Sequence, residues 1–220
     1  MTLPESRFAL LRAQMVERQL RGRGIRDDRV LAAMGRLPRE RFVPEAERAR
    51  AYEDSALPIG LGQTISQPFM VARTLELCRL QGEERVLEIG GGSGYQAALL
   101  GILAAEIVSI ERLLPLAERA RLAVAAEGLR NVQILHDDGS VAMPGGSFDV
   151  IVVAAASPRF AKAWLDQLRP GGRIVAPIGD RSLQILSVLT RGFDGEDRIE
   201  RAEACVFVPL IGESGLLSES

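Results

Sequence analysis

The stretch Val86-Leu87-Glu88-Ile89-Gly90-Gly91-Gly92-Ser93-Gly94-Tyr95 decides the fold class of this chain. Its apolar first half predicts a strand over residues 85–89, and the glycines predict a turn over 90–94 that opens a helix over 95–103. A strand, a glycine turn and a helix in this order are typical of the ligand-binding edge of a parallel sheet, where backbone N–H groups face a cleft.

Strands and helices alternate downstream of this turn. Apolar runs predict strands over 106–110, 132–135, 148–153 and 173–177, and the segments between them predict helices over 116–127 and 161–168. Pro170-Gly171-Gly172 predicts a turn before the last of these strands. The alternation indicates parallel βαβ units with right-handed crossovers. Two late strands in succession, 183–190 and 202–210, predict an antiparallel edge.

The first 80 residues predict a helical addition to this α/β sheet. Apolar side chains recur at three- to five-residue steps, as along one face of a helix: Phe8, Leu11, Met15 and Leu20. The prolines and glycines of residues 56–63 argue for a shaped loop without regular structure, and Pro68 is suited to begin another helix. We therefore expect one domain over residues 1–220, with the helical region and the loop in 1–80 and the sheet in 81–212.

The charge of the chain gives no reason to expect a nucleic-acid or lipid partner. The 220 residues carry a formal net charge of -2, with 47% apolar and 25% charged residues. Residues 1–50 hold twelve arginines against seven acids. These arginines are interleaved with apolar positions and acids, which predicts solvated helix faces and no nucleic-acid arm.

The two cysteines predict free thiols and no metal site. Cys78 and Cys205 lie far apart and lack the spacing of metal ligands. Free thiols fit a reducing compartment. The N-terminus lacks the charged and apolar segments of a signal peptide, and the longest apolar run, 150–156, is too short to span a bilayer. We therefore expect a cytoplasmic protein without a membrane partner.

Acidic residues stand at the ends of the first three predicted strands of the sheet. Glu111 closes the second strand, where a carboxylate can accept both ribose hydroxyls of a bound cofactor. Asp138-Gly139 follows the third strand, where an acid can accept the adenine amino group. Glu88 stands just before the glycine turn. The three acids therefore predict a nucleoside cofactor at this edge.

A dinucleotide fingerprint, G-x-G-x-x-G, is a competing interpretation of the turn. Gly92 and Gly94 followed by Ala97 keep its frame, because alanine is tolerated at the third glycine position. The glycines alone therefore leave an NAD-dependent oxidoreductase as an alternative hypothesis. Glu88 disfavours it, because a carboxylate repels a pyrophosphate and attracts a cationic sulfonium or ammonium group. The charges favour S-adenosylmethionine as the cofactor.

Several segments resemble known methyltransferases. Residues 86–95 resemble the first cofactor motif of class I S-adenosylmethionine-dependent methyltransferases. Ala56-Leu57-Pro58-Ile59-Gly60-Leu61-Gly62-Gln63-Thr64-Ile65-Ser66-Gln67-Pro68, here called the hallmark loop, resembles the hallmark loop of protein-L-isoaspartate O-methyltransferases. Residues 38–44, Pro-Arg-Glu-Arg-Phe-Val-Pro, and 207–210, Phe-Val-Pro-Leu, are also similar to that family, and the resemblance spans about residues 14–212.

The resemblance implies a fold and an activity. The fold would be a Rossmann-like three-layer sandwich with a mostly parallel seven-stranded sheet. The enzyme would transfer a methyl group from S-adenosylmethionine to the α-carboxylate of an L-isoaspartyl residue in a damaged protein. The ester would then cyclise to a succinimide, whose hydrolysis partly restores aspartate. A carboxylate is ionised at pH 7, so this reaction needs no general base.

The residues and the resemblance together give a predicted site. Ser66 and Thr64 would be catalytic, and because Ser66 has no base partner it would position groups by hydrogen bonding. The predicted cofactor-binding residues are Gln63, Glu88, Gly90, Gly92, Ser93, Gly94, Glu111, Asp138 and Gly139. The predicted substrate-binding residues are Ile65, Pro209 and Leu210. The expected partners are isoaspartyl-containing proteins and peptides, and the expected state is a monomer.

Three positions depart from the family pattern. Asp137 stands where the family usually has glycine, Val206 where arginine is common in bacterial members, and Arg159 where an acid or histidine is usual. These changes bear on the substrate more than on the cofactor. A carboxyl methyltransferase of the same fold that acts on a small molecule or a specific partner protein is therefore the alternative hypothesis.

Overall fold

The computed structural model describes residues 4–143 and 145–213, and a seven-stranded sheet forms its centre. The helices are α1 (Glu5–Gln14), α2 (Asp28–Arg36), α3 (Pro68–Cys78), α4 (Tyr95–Leu103), α5 (Leu114–Ala126) and α6 (Lys162–Leu165). The strands are β1 (Leu57–Gly60), β2 (Gln63–Ile65), β3 (Arg85–Ile89), β4 (Glu106–Glu111), β5 (Val132–His136), β6 (Phe148–Val153), β7 (Leu168–Gly179), β8 (Gln184–Arg191) and β9 (Asp197–Cys205).

The order of strands in the large sheet is β5-β4-β3-β6-β7-β8-β9. The pairs from β5 to β7 are parallel, and β8 and β9 are added antiparallel. This confirms the mostly parallel seven-stranded sheet and its antiparallel edge. The chain leaves β3 toward β4 on one side and returns to β6 on the other. Ligands bind at such a reversal of strand order, just beyond the carboxyl ends of the strands.

Alternate residues of the central strands face two separate hydrophobic clusters. Val86 and Val150 pack in one cluster with the N-terminal helices, α4 and α5. Leu87 and Ile151 pack in the other, around the fully buried Trp164 of α6. The Rossmann-like three-layer arrangement is confirmed. Its second helical layer is thin, because α6 has only four residues.

The helix predicted over 161–168 and the turn predicted at 170–172 are wrong in extent. The helix covers only Lys162–Leu165, and β7 begins at Leu168 and runs through the Pro-Gly-Gly segment. A register shift between Phe148 and Val150 of β6 accommodates the extra residues, and Gly171 takes a φ of 78° there. A bulge in a strand can therefore absorb residues that locally favour a turn.

The strand predicted over 202–210 is displaced. β9 occupies Asp197–Cys205, and its first five residues are exposed. It is an edge strand with solvent on both faces over that length, so it lacks the apolar pattern that marks a buried strand. Residues 206–211 leave the sheet and run past the ends of the parallel strands.

The N-terminal third contains two features that the predictions describe incompletely. Residues Met15–Leu20 form a π-helical turn, which accounts for the five-residue step between two buried apolar side chains. The prediction of a loop without regular structure is wrong for part of 56–63, because β1 and β2 form a short antiparallel hairpin. Its turn uses positive φ angles at Gly60, Leu61 and Gly62.

A carboxyl group is buried in the middle of the sheet. The parallel register places Glu88 beside Ser109, whose hydroxyl donates to Glu88 Oε2 at 2.5 Å. Glu88 is 0% exposed. Burial raises the pKa of Glu88 to about 8, and the hydrogen bond from Ser109 opposes this only in part.

We expect the free energy of unfolding of the ligand-free protein to fall as the pH rises from 4.5 to about 8. In this window folded Glu88 keeps a proton that the unfolded chain has lost, so rising pH favours unfolding. Glu88→Gln does not titrate and should show a shallower dependence in urea unfolding at several pH values. Glu118→Gln on an exposed position of α5 should keep the wild-type slope. Equal slopes for wild type and Glu88→Gln would contradict the buried, protonated state.

Candidate active site

Three adjoining cavities lie beyond the carboxyl ends of the parallel strands. The first, here the strand-end cavity, is lined by residues that include Gly90, Glu111, Gly139, Ala154, Pro209 and Leu210. The second, the turn cavity, is lined by residues that include Thr64, Ser66, Gly92, Ser93, Tyr95 and Ala154. The third, the outer cleft, is lined by residues that include Thr64, Ser66, Met70, Val206, Phe207 and Val208.

The two predicted catalytic residues lie where these cavities meet. Thr64 lines all three cavities, and Ser66 lines the turn cavity and the outer cleft. Ala154, which follows β6, is the other residue shared by all three. A group held between Thr64 and Ser66 is therefore open to both the strand ends and the outer cleft.

The glycine turn is held by backbone hydrogen bonds and close packing. The N–H groups of Gly90 and Gly91 donate to Ile110 O at 2.9 and 3.1 Å. Gly94 takes a φ of 83°, and a Cβ there would lie 3.1 Å from the Cβ of Ala120. Only glycine combines this backbone conformation with so close an approach of α5.

Glu111 fixes the turn from the end of β4. Its Oε2 accepts from Gly92 N and its Oε1 from Leu113 N, both at 2.8 Å. The carboxylate also lines the strand-end cavity. A carboxylate offers about four lone-pair positions. About two therefore stay available to hydroxyl groups of a ligand.

Glu88 lies under the glycine turn and does not line any of the three cavities. A Cβ on Gly91 would be 3.9 Å from Glu88 Oε2, and Glu88 Oε1 has no hydrogen-bond partner among the described residues. The carboxyl group therefore lies beneath the turn and outside the three cavities. Its predicted direct contact with a cofactor stays a prediction.

Asp138 and Gly139 have different surroundings. The Asp138 carboxylate accepts from Ser140 N at 2.8 Å and from Glu213 N at 2.7 Å. Partial burial alone would raise the pKa of Asp138, but these hydrogen bonds outweigh it and hold the pKa below its usual range. Gly139 lines the strand-end cavity, and its carbonyl accepts from Trp164 Nε1 at 3.0 Å. Asp138 thus ties down the C-terminal segment, and its predicted contact with an adenine amino group stays a prediction.

The C-terminal segment crosses the site through backbone hydrogen bonds. Ala156 N donates to Val208 O at 2.8 Å, and Leu210 N donates to Ala156 O at 2.9 Å. Pro209 and Leu210 line the strand-end cavity, and 206–208 line the outer cleft. The predicted contact of Pro209 and Leu210 with substrate stays a prediction.

The remaining predicted residues lie around the glycine turn. Ile65 is buried and lines the turn cavity, and Gln63 lines the strand-end cavity. Ser93 Oγ accepts from Tyr95 N at 3.2 Å at the start of α4. Met70 of the outer cleft was missed, because an apolar residue on a helix is indistinguishable from a core position by its spacing alone.

Residues 4–143 and 145–213 contain no group of three or more His, Cys, Asp or Glu side chains placed to hold a metal ion. Within the same ranges no helix has the length and apolar character needed to cross a membrane.

Comparison with known proteins places this architecture in a family. The family model of the protein-L-isoaspartate(D-aspartate) O-methyltransferases matches residues 11–215. A protein-L-isoaspartate O-methyltransferase of Rhodopseudomonas palustris is 51% identical over 213 residues, covering 96% of this chain and 87% of the relative. One of Methanoculleus marisnigri is 49% identical over 209 residues, covering 94% of each chain.

Solved structures agree with the sequence relatives. A Plasmodium falciparum structure described as a protein-L-isoaspartate O-methyltransferase, in complex with S-adenosyl-L-homocysteine, matches with a TM-score of 0.79 and 25% identity, over 91% of this chain and 98% of that one. Another protein-L-isoaspartate O-methyltransferase structure matches with a TM-score of 0.82 and 28% identity, over 92% of this chain and 66% of that one. The chain therefore belongs to the protein-L-isoaspartate(D-aspartate) O-methyltransferase family.

Proposed function

We propose that this protein is a repair enzyme that transfers a methyl group from S-adenosylmethionine to the α-carboxylate of L-isoaspartyl residues in damaged proteins. The observation that carries this conclusion is the match of the family model over residues 11–215. The junction of the three cavities at Thr64 and Ser66 is the proposed position of the methyl transfer. The comparisons give no support to the alternative of a small molecule or a specific partner protein as substrate.

The walls of the strand-end cavity fit S-adenosylmethionine. The available lone pairs of Glu111 suit the two ribose hydroxyls, and Gly139 and Leu210 leave an uncharged surface for the adenine. A cation in the turn cavity would favour the ionised form of Glu88 below it. When bound, S-adenosylmethionine supplies an electrophilic methyl group. The fit is supported by the S-adenosyl-L-homocysteine in the Plasmodium falciparum relative.

The substrate carboxylate belongs at the junction of the cavities. It is ionised near neutral pH and needs no base to remove a proton. The hydroxyls of Thr64 and Ser66 can donate to its oxygens and hold one of them toward the turn cavity. His136 is exposed and hydrogen-bonded to the carbonyl of Arg112, so it takes no part. The chain's contribution is alignment and the exclusion of water.

The outer cleft gives the damaged protein access to this junction. Its walls include the apolar side chains of Met70, Val206 and Phe207, and Val206 is 72% exposed. An uncharged cleft suits peptides of many sequences, because it makes few demands on neighbouring side chains. The methyl ester formed there would then cyclise to a succinimide in solution, without a further catalytic group.

We also propose that the chain is one methyltransferase domain over 1–220 that acts as a monomer. Phe8 of α1 and Cys205 of β9 belong to the same hydrophobic cluster, which supports a single folding unit.

We further propose a cytoplasmic location and no nucleic-acid partner. Cys78 and Cys205 are free and buried, as suits a reducing compartment. Several arginines of the first 50 residues are already paired with acids, which supports solvated helix faces there: Arg21, Arg23, Arg41 and Arg50.

Methyl transfer from labelled S-adenosylmethionine to two peptides of one sequence tests the function. One peptide carries L-isoaspartate and the other normal aspartate. We expect label in the isoaspartyl peptide alone, followed by release of labelled methanol as the ester cyclises. Binding of S-adenosylmethionine with no label on either peptide would contradict the proposed substrate.

Ser66→Ala should lower kcat about tenfold to a hundredfold, because loss of one positioning hydrogen bond to a charged group costs about 1.5–3 kcal/mol. The affinity for S-adenosyl-L-homocysteine should change little, since Ser66 does not line the strand-end cavity. Steady-state kinetics and calorimetry separate the two effects. Unchanged kcat would rule out the positioning role of Ser66.

Glu111→Gln should weaken binding of S-adenosyl-L-homocysteine about tenfold to a hundredfold, measured by titration calorimetry. The amide loses the negative charge and one acceptor, so it cannot serve Gly92 N, Leu113 N and the ribose together. Glu118→Gln on the exposed face of α5 is the matched control and should bind as wild type does. Wild-type affinity in Glu111→Gln would show that this carboxylate does not hold the ribose.

A further inference from the structure

Arg39 is a buried cation beneath the hallmark loop, and the roles proposed above do not account for it. Its side chain is 0% exposed, and among the described residues it forms no ion pair with a carboxylate. Burial lowers the pKa of Arg39 to about 10, so the group still carries its charge near neutral pH. Burying an unpaired charge costs desolvation free energy. The contacts of the Arg39 guanidinium therefore indicate what role offsets that cost.

The guanidinium joins two backbone segments. Nε donates to Ala51 O and Nη2 donates to Ser66 O, each at 2.8 Å. Ala51 ends the helical turn Glu45–Arg50, and Ser66 lies between β2 and the first residue of α3. The bond to Ser66 O fixes the peptide plane that follows the proposed catalytic serine. The direction of the Ser66 side chain depends on that plane.

The same guanidinium lies against the start of α4. Its Cζ is 5.1 Å from the centre of the Tyr95 ring, a cation–π contact. Tyr95 is buried directly after the glycine turn, and Phe42 packs against it edge-on, with ring centres 5.4 Å apart. Arg39 therefore connects the hallmark loop to the element that begins at the glycine turn.

We infer that Arg39 is a positioning residue for methyl transfer, which holds the Ser66 backbone at a fixed place relative to the glycine turn. The inference rests on the proposed function, because it acts through the proposed role of Ser66. A displacement of about 1 Å in a catalytic group can cost about a hundredfold in rate. Loss of the Arg39 bridge should therefore act on kcat and leave the walls of the strand-end cavity in place.

Two substitutions test the bridge in different ways. Arg39→Lys keeps the charge, but a single ammonium cannot reproduce the flat fork that bonds two carbonyls and stacks on a ring. Arg39→Met removes the charge and both hydrogen-bond donors while keeping a long unbranched side chain. We expect each to lower kcat about tenfold to a hundredfold, with S-adenosyl-L-homocysteine affinity within about threefold of wild type.

Arg29 provides the matched control. Its guanidinium also bridges two backbone carbonyls, those of Leu80 at 2.6 Å and Leu103 at 3.0 Å, and it lines none of the three cavities. Arg29→Lys loses the same kind of bridge elsewhere in the fold. It should keep the wild-type kcat on an isoaspartyl peptide. A loss of kcat equal to that of Arg39→Lys would mean that the effect is general destabilisation and would overturn the inference.

A double-mutant cycle separates this inference from the proposed function. If Arg39 acts through Ser66, Arg39→Lys combined with Ser66→Ala should lower kcat no further than Ser66→Ala alone. Additive losses, or a wild-type kcat in Arg39→Lys or Arg39→Met, would overturn the positioning role while leaving the proposed function intact. A wild-type enzyme that does not methylate the isoaspartyl peptide would instead remove the proposed function, and the inference with it.

Discussion

The close packing of the glycine turn is the constraint on which the rest of the site depends. Three glycines of 90–94 have positive φ, and α5 approaches Gly94 so closely that no Cβ fits without displacing the helix. Backbone N–H groups of the turn donate to Ile110 O and to the Glu111 carboxylate, and these hydrogen bonds hold the turn against β4. The start of α4 and the walls of two cavities follow from this arrangement. A shift of the turn would therefore move the cofactor walls and Tyr95 together.

Two buried ionisable groups flank this turn, and neither has a partner of opposite charge within residues 4–143 and 145–213. Glu88 lies below the turn and accepts a hydrogen bond from the hydroxyl of Ser109. Arg39 donates to two backbone carbonyls and lies against the Tyr95 ring. Such groups lower the stability that the same volume of apolar side chain would give. Groups of this kind cluster where a protein must interact with charge. Their placement around one turn agrees with a site that handles a sulfonium and a carboxylate.

The opposite wall of the site depends on backbone contacts. Residues 206–213 are held by hydrogen bonds to Ala156 and by the Asp138 carboxylate, which accepts from Glu213 N. Because these hydrogen bonds are made by backbone groups of the segment, its course past the strand ends does not depend on the identity of its side chains. Val206 lines the outer cleft and does not line the strand-end cavity.

The α/β alternation, the antiparallel edge and the glycine turn could be predicted from the sequence. These features are encoded locally, by apolar periodicity and by residues that favour particular backbone angles. Thr64 and Ser66 were predicted through the resemblance to the family, and the structure places both at the junction of the cavities. Glu111 was also identified, because the end of a strand fixes the position of its side chain.

The burial of the polar groups and the start of the last strand depend on contacts between distant parts of the chain. Glu88 is enclosed because Ser109 of a neighbouring strand lies beside it, and Arg39 is enclosed by Ser66 and Tyr95, far along the chain. β9 is exposed on both faces over most of its length, so its pairing with β8 defines it and its composition does not. Burial and pairing depend on distant partners, which no local pattern of residues specifies.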